Sequence, residues 1–211
     1  MMNKPLKVLE NLYWVGALDP DLKIFDIIME TKYGTTYNSY LLKGREKTVL
    51  FETVKDKFAD QCIERIKAVV DPREIDYIVV NHTEPDHAGS VDILLDYCPN
   101  ATLVGTGPAL RFLKEITNRP FQTLPVSDGD TLNIGDKTIQ FIMTPFLHWP
   151  DTMYSYIKED QVLVTCDSFG AHYCDERIFN DKMEKEKEED ILDAYKYYFD
   201  MIMGPFKSYV L

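Results

Sequence analysis

No segment of this 211-residue sequence approaches the roughly 18 uninterrupted apolar residues that a membrane-spanning helix requires. The N-terminal residues 1–5 also lack the long apolar core of a signal peptide. The sequence therefore predicts a protein that works in the cytoplasm and has no membrane partner.

Basic residues are scarce, since 23 Lys and Arg face 35 Asp and Glu and leave a formal net charge of −12. Nucleic-acid phosphates attract Lys and Arg, so this balance argues against a nucleic-acid partner. The four cysteines form no Cys-x-x-Cys pair and suggest no disulfide framework. Apolar side chains are plentiful at 45% of the chain, which is enough for the core of a globular protein.

Histidine is also rare, and two of the four histidines, His82 and His87, lie five positions apart. With Glu84 and Asp86 they follow the apolar run at 75–80, which predicts a buried strand opening into a loop. One interpretation is a polar loop in which Asp86 is the N-cap of the next helix and His87 is solvated. Four nitrogen and oxygen donors so close together favour metal binding instead. Glu84 and Asp86 would compete with the imidazoles for the four places of one tetrahedral ion, and two metals that share six or more ligands suit the count better.

Two further donors, His148 and Asp167, come at the ends of strand-like runs at 138–143 and 162–166. Taken alone, His148 is better explained as a structural histidine, and Asp167 as a turn or cap residue. Together with the first cluster they make three strand ends that deliver ligands. A site on one edge of a sheet requires this arrangement.

This ligand pattern resembles that of the flavodiiron proteins, oxygen and nitric oxide reductases built on a metallo-β-lactamase-like fold. Similar segments run along nearly the whole chain, at residues 12–16, 34–38, 80–82, 147–151 and 170–173. The resemblance implies six ligands to a pair of irons: His82, Glu84 and His148 on one iron, Asp86 and His87 on the other, and Asp167 bridging both.

Glu84 favours iron over zinc, because zinc hydrolases of this fold usually carry His at that position. An anion in place of a neutral imidazole gives the site three carboxylates. The extra charge favours the higher oxidation state, which suits a metal that cycles between ferrous and ferric. Zinc has no redox chemistry and gains nothing from it.

The sequence departs from the family pattern in two places near the irons. The pattern closes with a further histidine beyond Asp167, but no histidine follows His172 in this chain. We expect His172 to line the substrate pocket rather than to bind metal. Many family members carry Phe-His-Gly-Tyr where residues 25–28 are Phe-Asp-Ile-Ile. This replacement leaves the choice between oxygen and nitric oxide open.

The sequence also carries no phosphate loop and no Gly-x-Gly-x-x-Gly fingerprint for a nucleotide. Flavodiiron proteins continue into a flavodoxin-like domain whose FMN feeds electrons to the irons. We therefore expect FMN in a full-length parent and not in this chain alone. The apolar last segment, residues 208–211, indicates the N-terminal portion of a longer protein.

The apolar spacing predicts strands first, then helices interleaved with strands, then strands again. Strands are predicted at 13–17, 25–30, 35–42, 48–52, 75–80 and 101–104 and repeatedly between 121 and 166, and helices at 55–70, from the ligand loop to 97, at 108–117 and at 188–203. This order indicates an α/β (α+β) fold, a metallo-β-lactamase-like αββα sandwich over residues 1–211. We expect its second sheet to be incomplete at the C-terminus.

The leading hypothesis is a non-haem diiron oxidoreductase that reduces O2 to water or NO to N2O with electrons from FMN in the full-length protein. The resemblance implies a head-to-tail homodimer and an electron donor such as a rubredoxin or a flavoprotein. The alternatives are a flavin-free diiron oxygen sensor and, disfavoured by Glu84, a zinc-dependent hydrolase. This fragment alone is expected to be inactive. Without metal, its clustered carboxylates predict raised pKa values and a mobile loop at 82–87.

Overall fold

A computed structural model describes residues 4–210. Residues 1–3 of the predicted domain, and Leu211 at the end of the apolar last segment, lie outside the described residues. None of the helices within 4–210 is long and apolar enough to cross a membrane.

Short strands form two main sheets and two small two-stranded sheets. In chain order they are β1 (Leu6–Leu9), β2 (Leu12–Trp14), β3 (Ala17–Asp19), β4 (Ile24–Phe25), β5 (Met29–Glu30), β6 (Thr35–Tyr37), β7 (Tyr40–Lys43), β8 (Thr48–Phe51), β9 (Ile75–Val79), β10 (Thr102–Gly105), β11 (Gln122–Pro125), β12 (Thr131–Asn133), β13 (Thr138–Met143), β14 (Met153–Ile157) and β15 (Val162–Val164). The first sheet has the order β1-β2-β7-β8-β9-β10-β11 and the second has the order β12-β13-β14-β15. The small sheets pair β3 with β6 and β4 with β5, and only the second pair is a hairpin.

The α-helices are α1 (Ala59–Lys67), α2 (Pro85–Ala88), α3 (Val91–Tyr97), α4 (Gly107–Thr117), α5 (Glu188–Tyr198) and α6 (Lys207–Val210). Adjacent residues of a strand point to opposite faces of its sheet, so each strand of the first sheet contributes to two cores. In β8, Leu50 packs in a core with Ile63 of α1, whereas its neighbour Phe51 packs in a second core with Phe141 of β13. Helices therefore cover one face of the first sheet and the second sheet covers the other. This is the predicted metallo-β-lactamase-like α/β fold.

Strand direction brings several loops to one edge of this sandwich. Strands β8, β9 and β10 run parallel, so their carboxyl ends open at the same edge. The second sheet is antiparallel, so β13 and β15 end where β14 begins. Asn81, just after β9, accepts a hydrogen bond from the backbone N of Met153 at 3.0 Å and one from Ser155 Oγ at 2.7 Å. These bonds join the end of β9 to the start of β14, and the loops after β9, β13 and β15 meet there.

Three of the predicted strands are wrong in detail. The strand predicted at 13–17 is divided between β2, in the first sheet, and β3, which pairs with β6. The strand predicted at 25–30 is a hairpin, because Asp26 and Ile27 have positive φ angles of 47° and 73° and reverse the chain between β4 and β5. The strand predicted at 35–42 is divided between β6, which pairs with β3, and β7, which lies in the first sheet. The division follows from side chains that serve different layers on either side of residues 38–39.

The helix predicted after the ligand loop is two helices, α2 and α3. Pro85 is the first residue of α2, so Glu84 and not Asp86 holds the N-cap position, and its side chain makes no capping hydrogen bond. The interpretation of Asp86 as a helix cap is therefore wrong. The helices predicted at 108–117 and 188–203 are confirmed as α4 and as α5 with its π-helical continuation, Phe199–Met203.

Candidate metal centre

The six donor residues lie together at this edge in two groups that share one carboxylate. The first group is His82, Glu84, His148 and Asp167, and the second is Asp86, His87 and Asp167. Within each group, one donor atom per residue lies within 4.8 Å of the others. Three separate loops supply these side chains, as the strand ends predicted.

All three imidazoles face the cluster through Nε2. His82 Nε2 lies 3.2 Å from Glu84 Oε2 and 3.3 Å from Asp167 Oδ2. His148 Nε2 lies 2.9 Å and 3.3 Å from the same two oxygens. His87 Nε2 lies 2.9 Å from the other oxygen of Asp167, Oδ1. Asp167 therefore touches all three imidazoles and uses a different oxygen for each group.

Without a metal, the imidazoles of this cluster bind protons and so carry the positive charge beside the carboxylates. Burial disfavours a charged imidazole, but hydrogen bonds to Asp151 and Glu84 outweigh it and raise the pKa of His82 to about 10. The same opposition between burial and hydrogen bonds to Asp167 and Glu84 raises the pKa of His148 to about 9. The histidines of the metal-free site are thus imidazolium ions at neutral pH.

The sequence predicted raised pKa values for the clustered carboxylates. This prediction is partly wrong, because the neighbouring imidazoles are charged. Burial raises the pKa of Glu84, yet hydrogen bonds from two imidazoles outweigh it and hold that pKa below its usual range. Asp167 follows the same pattern, with the charge of His87 as the main opposing cause. Only at Asp86 does burial prevail and raise the pKa, to about 6. The predicted rise is therefore wrong for Glu84 and Asp167 and confirmed for Asp86; the mobility of the loop stays a prediction.

Within residues 4–210, two buried oxygens of the cluster lack a well-formed hydrogen bond: Asp86 Oδ1, and Asp167 Oδ2, whose nearest imidazole nitrogens lie 3.3 Å away. Burying an unpaired polar atom costs free energy, so each such atom in a folded protein calls for an explanation. A cation among them would supply the missing partner. Imidazole nitrogens and carboxylate oxygens are ligands that iron accepts. The donor set therefore fits a pair of iron ions.

His172 lies beside the cluster and belongs to neither group. Its Nδ1 lies 2.9 Å from Thr35 Oγ1, and its ring packs against Phe25 and Tyr198 with centroids 4.4 Å and 5.0 Å away. Burial lowers the pKa of His172 to about 4, so the ring is neutral. It lines a cavity of about 410 Å³ that also reaches Asp167. A role for His172 in the wall of a substrate pocket stays a prediction.

Four further side chains at the site escaped the sequence analysis: Glu52, Asp151, Tyr198 and, as a contact of the cluster, Asp26. Asp151 lies inside segment 147–151, which resembles the family, so the sequence could have indicated that this residue lies near the site. Glu52 ends the predicted strand at 48–52, and an acid that ends a buried strand was a weaker signal. No sequence signal indicated Tyr198, because only the fold brings α5 to the metal cluster.

Asp26 lies at the tip of the β4–β5 hairpin, in the segment where the sequence departs from the Phe-His-Gly-Tyr of the resemblance. Its hydrogen bond with Glu84, partial burial and the negative charges of Glu84 and Asp86 raise the pKa of Asp26 to about 7. A carboxyl at this position adds negative charge beside the cluster whenever it ionises, whereas a histidine adds none. The departure at residues 25–28 thus changes the charge at the cluster itself.

Tyr198 donates its hydroxyl to Asp167 Oδ1 at 2.8 Å. We expect Tyr198→Phe to lower the free energy of unfolding by about 1.5–3 kcal/mol, because a buried hydrogen bond to a charged group is lost. Urea unfolding at pH 7 measures the change. Tyr197→Phe is the matched control, since Tyr197 lies on the same helix and is 39% exposed. Equal effects of the two substitutions would contradict this role.

Comparison with known proteins places the fold and the site in a class. The family profile described as "ODP family beta lactamase" matches residues 35–207. This is well over half of the chain, and the chain belongs to that family of metallo-β-lactamase-like domains.

Within that class, the relatives are flavodiiron proteins, as the sequence predicted. A flavo-diiron protein of Clostridium acetobutylicum is 43% identical over 208 residues, 98% of this chain and 51% of the relative. A type A flavoprotein of Rhodobacter capsulatus is 43% identical over 209 residues, 98% of this chain and 47% of the relative. The chain thus spans about half the length of the curated relatives that it matches.

Solved structures show the same relationship. The flavodiiron protein from Giardia intestinalis superposes with a TM-score of 0.92 at 34% identity, over 97% of this chain and 49% of that chain. Rubredoxin oxygen:oxidoreductase from Desulfovibrio gigas has a TM-score of 0.92 at 30% identity, over 97% of this chain and 50% of that chain.

Proposed function

We propose that this chain is the diiron domain of an oxidoreductase that reduces O2 to water or NO to N2O. The observation that carries the proposal is the donor set: three imidazoles and three carboxylates in two groups that share Asp167. His82, Glu84 and His148 would hold one iron, Asp86 and His87 the other, and Asp167 would bridge. The whole of residues 1–211 would form this domain in a longer protein.

Iron supplies reversible one-electron chemistry and open coordination positions when it is bound. Reduction of O2 to two waters consumes four electrons and four protons. Reduction of two NO to N2O and one water consumes two electrons and two protons. Two ferrous ions hold two electrons, so oxygen reduction needs a continuing supply. The proposal therefore includes FMN in the longer protein as the electron relay.

The chain's own side chains would control charge and access at the pair. Glu84, as an ionised carboxylate ligand, would supply negative charge that favours ferric iron. The neutral ring of His172 forms a weakly polar wall of the cavity next to Asp167. The cavity's volume of about 410 Å³ is ample for a diatomic substrate.

The partners are proposed from the relatives. The name of the Desulfovibrio gigas protein couples rubredoxin to oxygen, so a rubredoxin or a flavoprotein is the proposed electron donor here. A head-to-tail homodimer is proposed because it would bring the flavin of one subunit to the irons of the other. A cytoplasmic location and the absence of a nucleic-acid or membrane partner remain predictions of the composition.

The test is anaerobic loading with ferrous iron followed by stopped-flow mixing with O2 or NO. We expect two irons per chain and a single round of consumption, in which the two electrons of the ferrous pair convert two NO to N2O, without sustained turnover because FMN is not expected in this chain alone. A stable oxygenated adduct without consumption would instead identify the oxygen sensor. Stoichiometric zinc and no iron in the isolated protein would reject the proposal in favour of a hydrolase.

Glu84→His tests the choice of metal directly. The substitution replaces an anion by a neutral imidazole and removes a charge that favours ferric iron. We expect the preference for iron over zinc to fall by at least about tenfold, as measured by metal content after growth or dialysis with both ions. Glu84→Asp keeps the charge and is the matched control. An unchanged metal ratio in Glu84→His would show that this carboxylate does not select iron.

A further inference from the structure

Two buried carboxylates outside the six donors stand directly behind two of the histidines. Glu52 and Asp151 are 1% and 0% exposed, so neither is a solvated surface acid. Each faces an imidazole nitrogen on the side away from the cluster. A buried carboxylate is retained in a fold only when it has partners, so the contacts of these two residues are informative.

Glu52 directly follows β8 in a backbone conformation that residues other than glycine rarely adopt, with φ at 59°. Its Oε1 accepts a hydrogen bond from the backbone N of Asn81 at 2.7 Å. Its Oε2 lies 3.2 Å from His87 Nδ1 and has no other partner. The backbone N of Glu52 donates to Val79 O at 2.9 Å, which fixes the residue against β9. The carboxylate is thus anchored by one oxygen and presents the other to His87.

Asp151, in the loop before β14, faces His82 in the same way as Glu52 faces His87. Its Oδ2 accepts hydrogen bonds from the backbone N and the hydroxyl of Thr83, both at 2.8 Å. The same oxygen lies 3.4 Å from His82 Nδ1, a buried nitrogen with no other partner within residues 4–210. The Thr106 hydroxyl donates to the backbone O of Asp151 at 2.9 Å and fixes the loop.

The contacts made by Glu52 and Asp151 involve histidines of different donor groups. His82 belongs to the first group and His87 to the second, and both point Nε2 at the cluster. An imidazole that binds a metal through Nε2 carries its proton on Nδ1 and needs an acceptor there. The contacts are long for hydrogen bonds, as is common in sites without their ligand. His148 differs, since its ion-pair contacts within residues 4–210 are made through Nε2 alone.

We propose that Glu52 and Asp151 are positioning residues, each of which accepts the Nδ1 proton of one histidine and so fixes its Nε2 as a ligand. The inference rests on the proposed diiron site. A hydrogen bond to a carboxylate also makes an imidazole a stronger electron donor. Each iron therefore has one imidazole strengthened in this way, which stabilises ferric iron and lowers the reduction potential of the pair.

The test uses Glu52→Gln and Asp151→Asn in the full chain loaded with iron-57. We expect each variant to bind ferrous iron about 10–100-fold more weakly in competition with a chelator. We also expect the midpoint potential to rise, and a tenfold change in ferric preference corresponds to about 59 mV for a one-electron couple. Mössbauer spectra separate the two irons: Glu52→Gln should shift the signal of one and Asp151→Asn that of the other.

Asp19→Asn is the matched control, because Asp19 is also buried but pairs with Lys57 away from the six donors. It should change thermal stability without changing the potential or either iron signal. If Glu52→Gln does not fold, Glu52→Asp keeps the charge and should give an intermediate shift. Unchanged potential and affinity in the folded variants would overturn the proposal, as would a wild-type chain that binds no metal. Iron binding without turnover would overturn only the proposed function.

Discussion

Asp167→Ala should empty both metal positions. Asp167 belongs to both donor groups, and its two oxygens lie 2.9–3.3 Å from the Nε2 atoms of three histidines. We expect iron affinity to fall more than about 100-fold, beyond the upper range for residues that only support a ligand. Metal analysis after anaerobic loading and dialysis measures the loss. O2 and NO consumption should disappear with the iron.

The control for this substitution lies in the same loop. Asp175 is also buried, with its side chain 7% exposed, but it pairs with Arg177 and Lys187 rather than with the histidines. Asp175→Ala breaks ion pairs with two partly exposed cations, Arg177 and Lys187, and should lower stability modestly while two irons are retained. Asp167→Asn keeps the size of the side chain and removes its charge, so it should also lose iron. Two irons per chain in Asp167→Ala would contradict the bridging role.

The metal-free and iron-loaded proteins should show opposite dependences of stability on pH. In the metal-free protein, the pKa values of His82 and His148 are raised to about 10 and 9 from an ordinary value near 6.5. A raised histidine pKa stabilises the fold fully below about pH 6.5, and this contribution is lost as the pH rises through the folded-state value. Asp86, with its pKa raised to about 6, contributes in the same direction at lower pH.

The expected loss is large. One pKa unit corresponds to about 1.4 kcal/mol, so a shift of about three units on one buried imidazole is worth on the order of 4 kcal/mol. A typical domain has a total stability of about 5–15 kcal/mol. The denaturant midpoint of the metal-free protein should therefore fall steeply between pH 7 and pH 10. With iron bound, the imidazoles must be deprotonated, so stability should instead fall towards acid.

A histidine with the opposite shift is the control for the pH experiment. The pKa of His172 is lowered to about 4, so its contribution is present above about pH 6.5 and is lost only towards acid. His172→Asn should leave the alkaline slope of the metal-free protein unchanged, whereas His148→Gln should reduce it. A midpoint that stays level or rises between pH 7 and pH 10 would contradict the imidazolium–carboxylate pairing.

Much of the fold could be predicted from local patterns in the sequence. In β8, the neighbouring side chains of Leu50 and Phe51 point to opposite faces of the sheet and pack in different cores. This alternation depends only on residues adjacent in the sequence. The hairpin at residues 25–28 could not be predicted in the same way. Its reversal depends on positive φ angles at Asp26 and Ile27, where turns of this kind usually carry Asn and Gly. The surrounding structure, not local preference, holds the chain there.

By itself the sequence determined which donors are available and that they come from strand ends, because residue type and period-two alternation are written along the chain. Only the tertiary structure decided how those donors are partnered. It set Tyr198 on Asp167, Asp26 beside Glu84, and carboxylates behind two of the three imidazoles. The protonation of the metal-free site depends largely on distances of 2.9–3.3 Å between residues far apart in sequence. Electrostatic interaction depends on separation and burial, which no local pattern specifies.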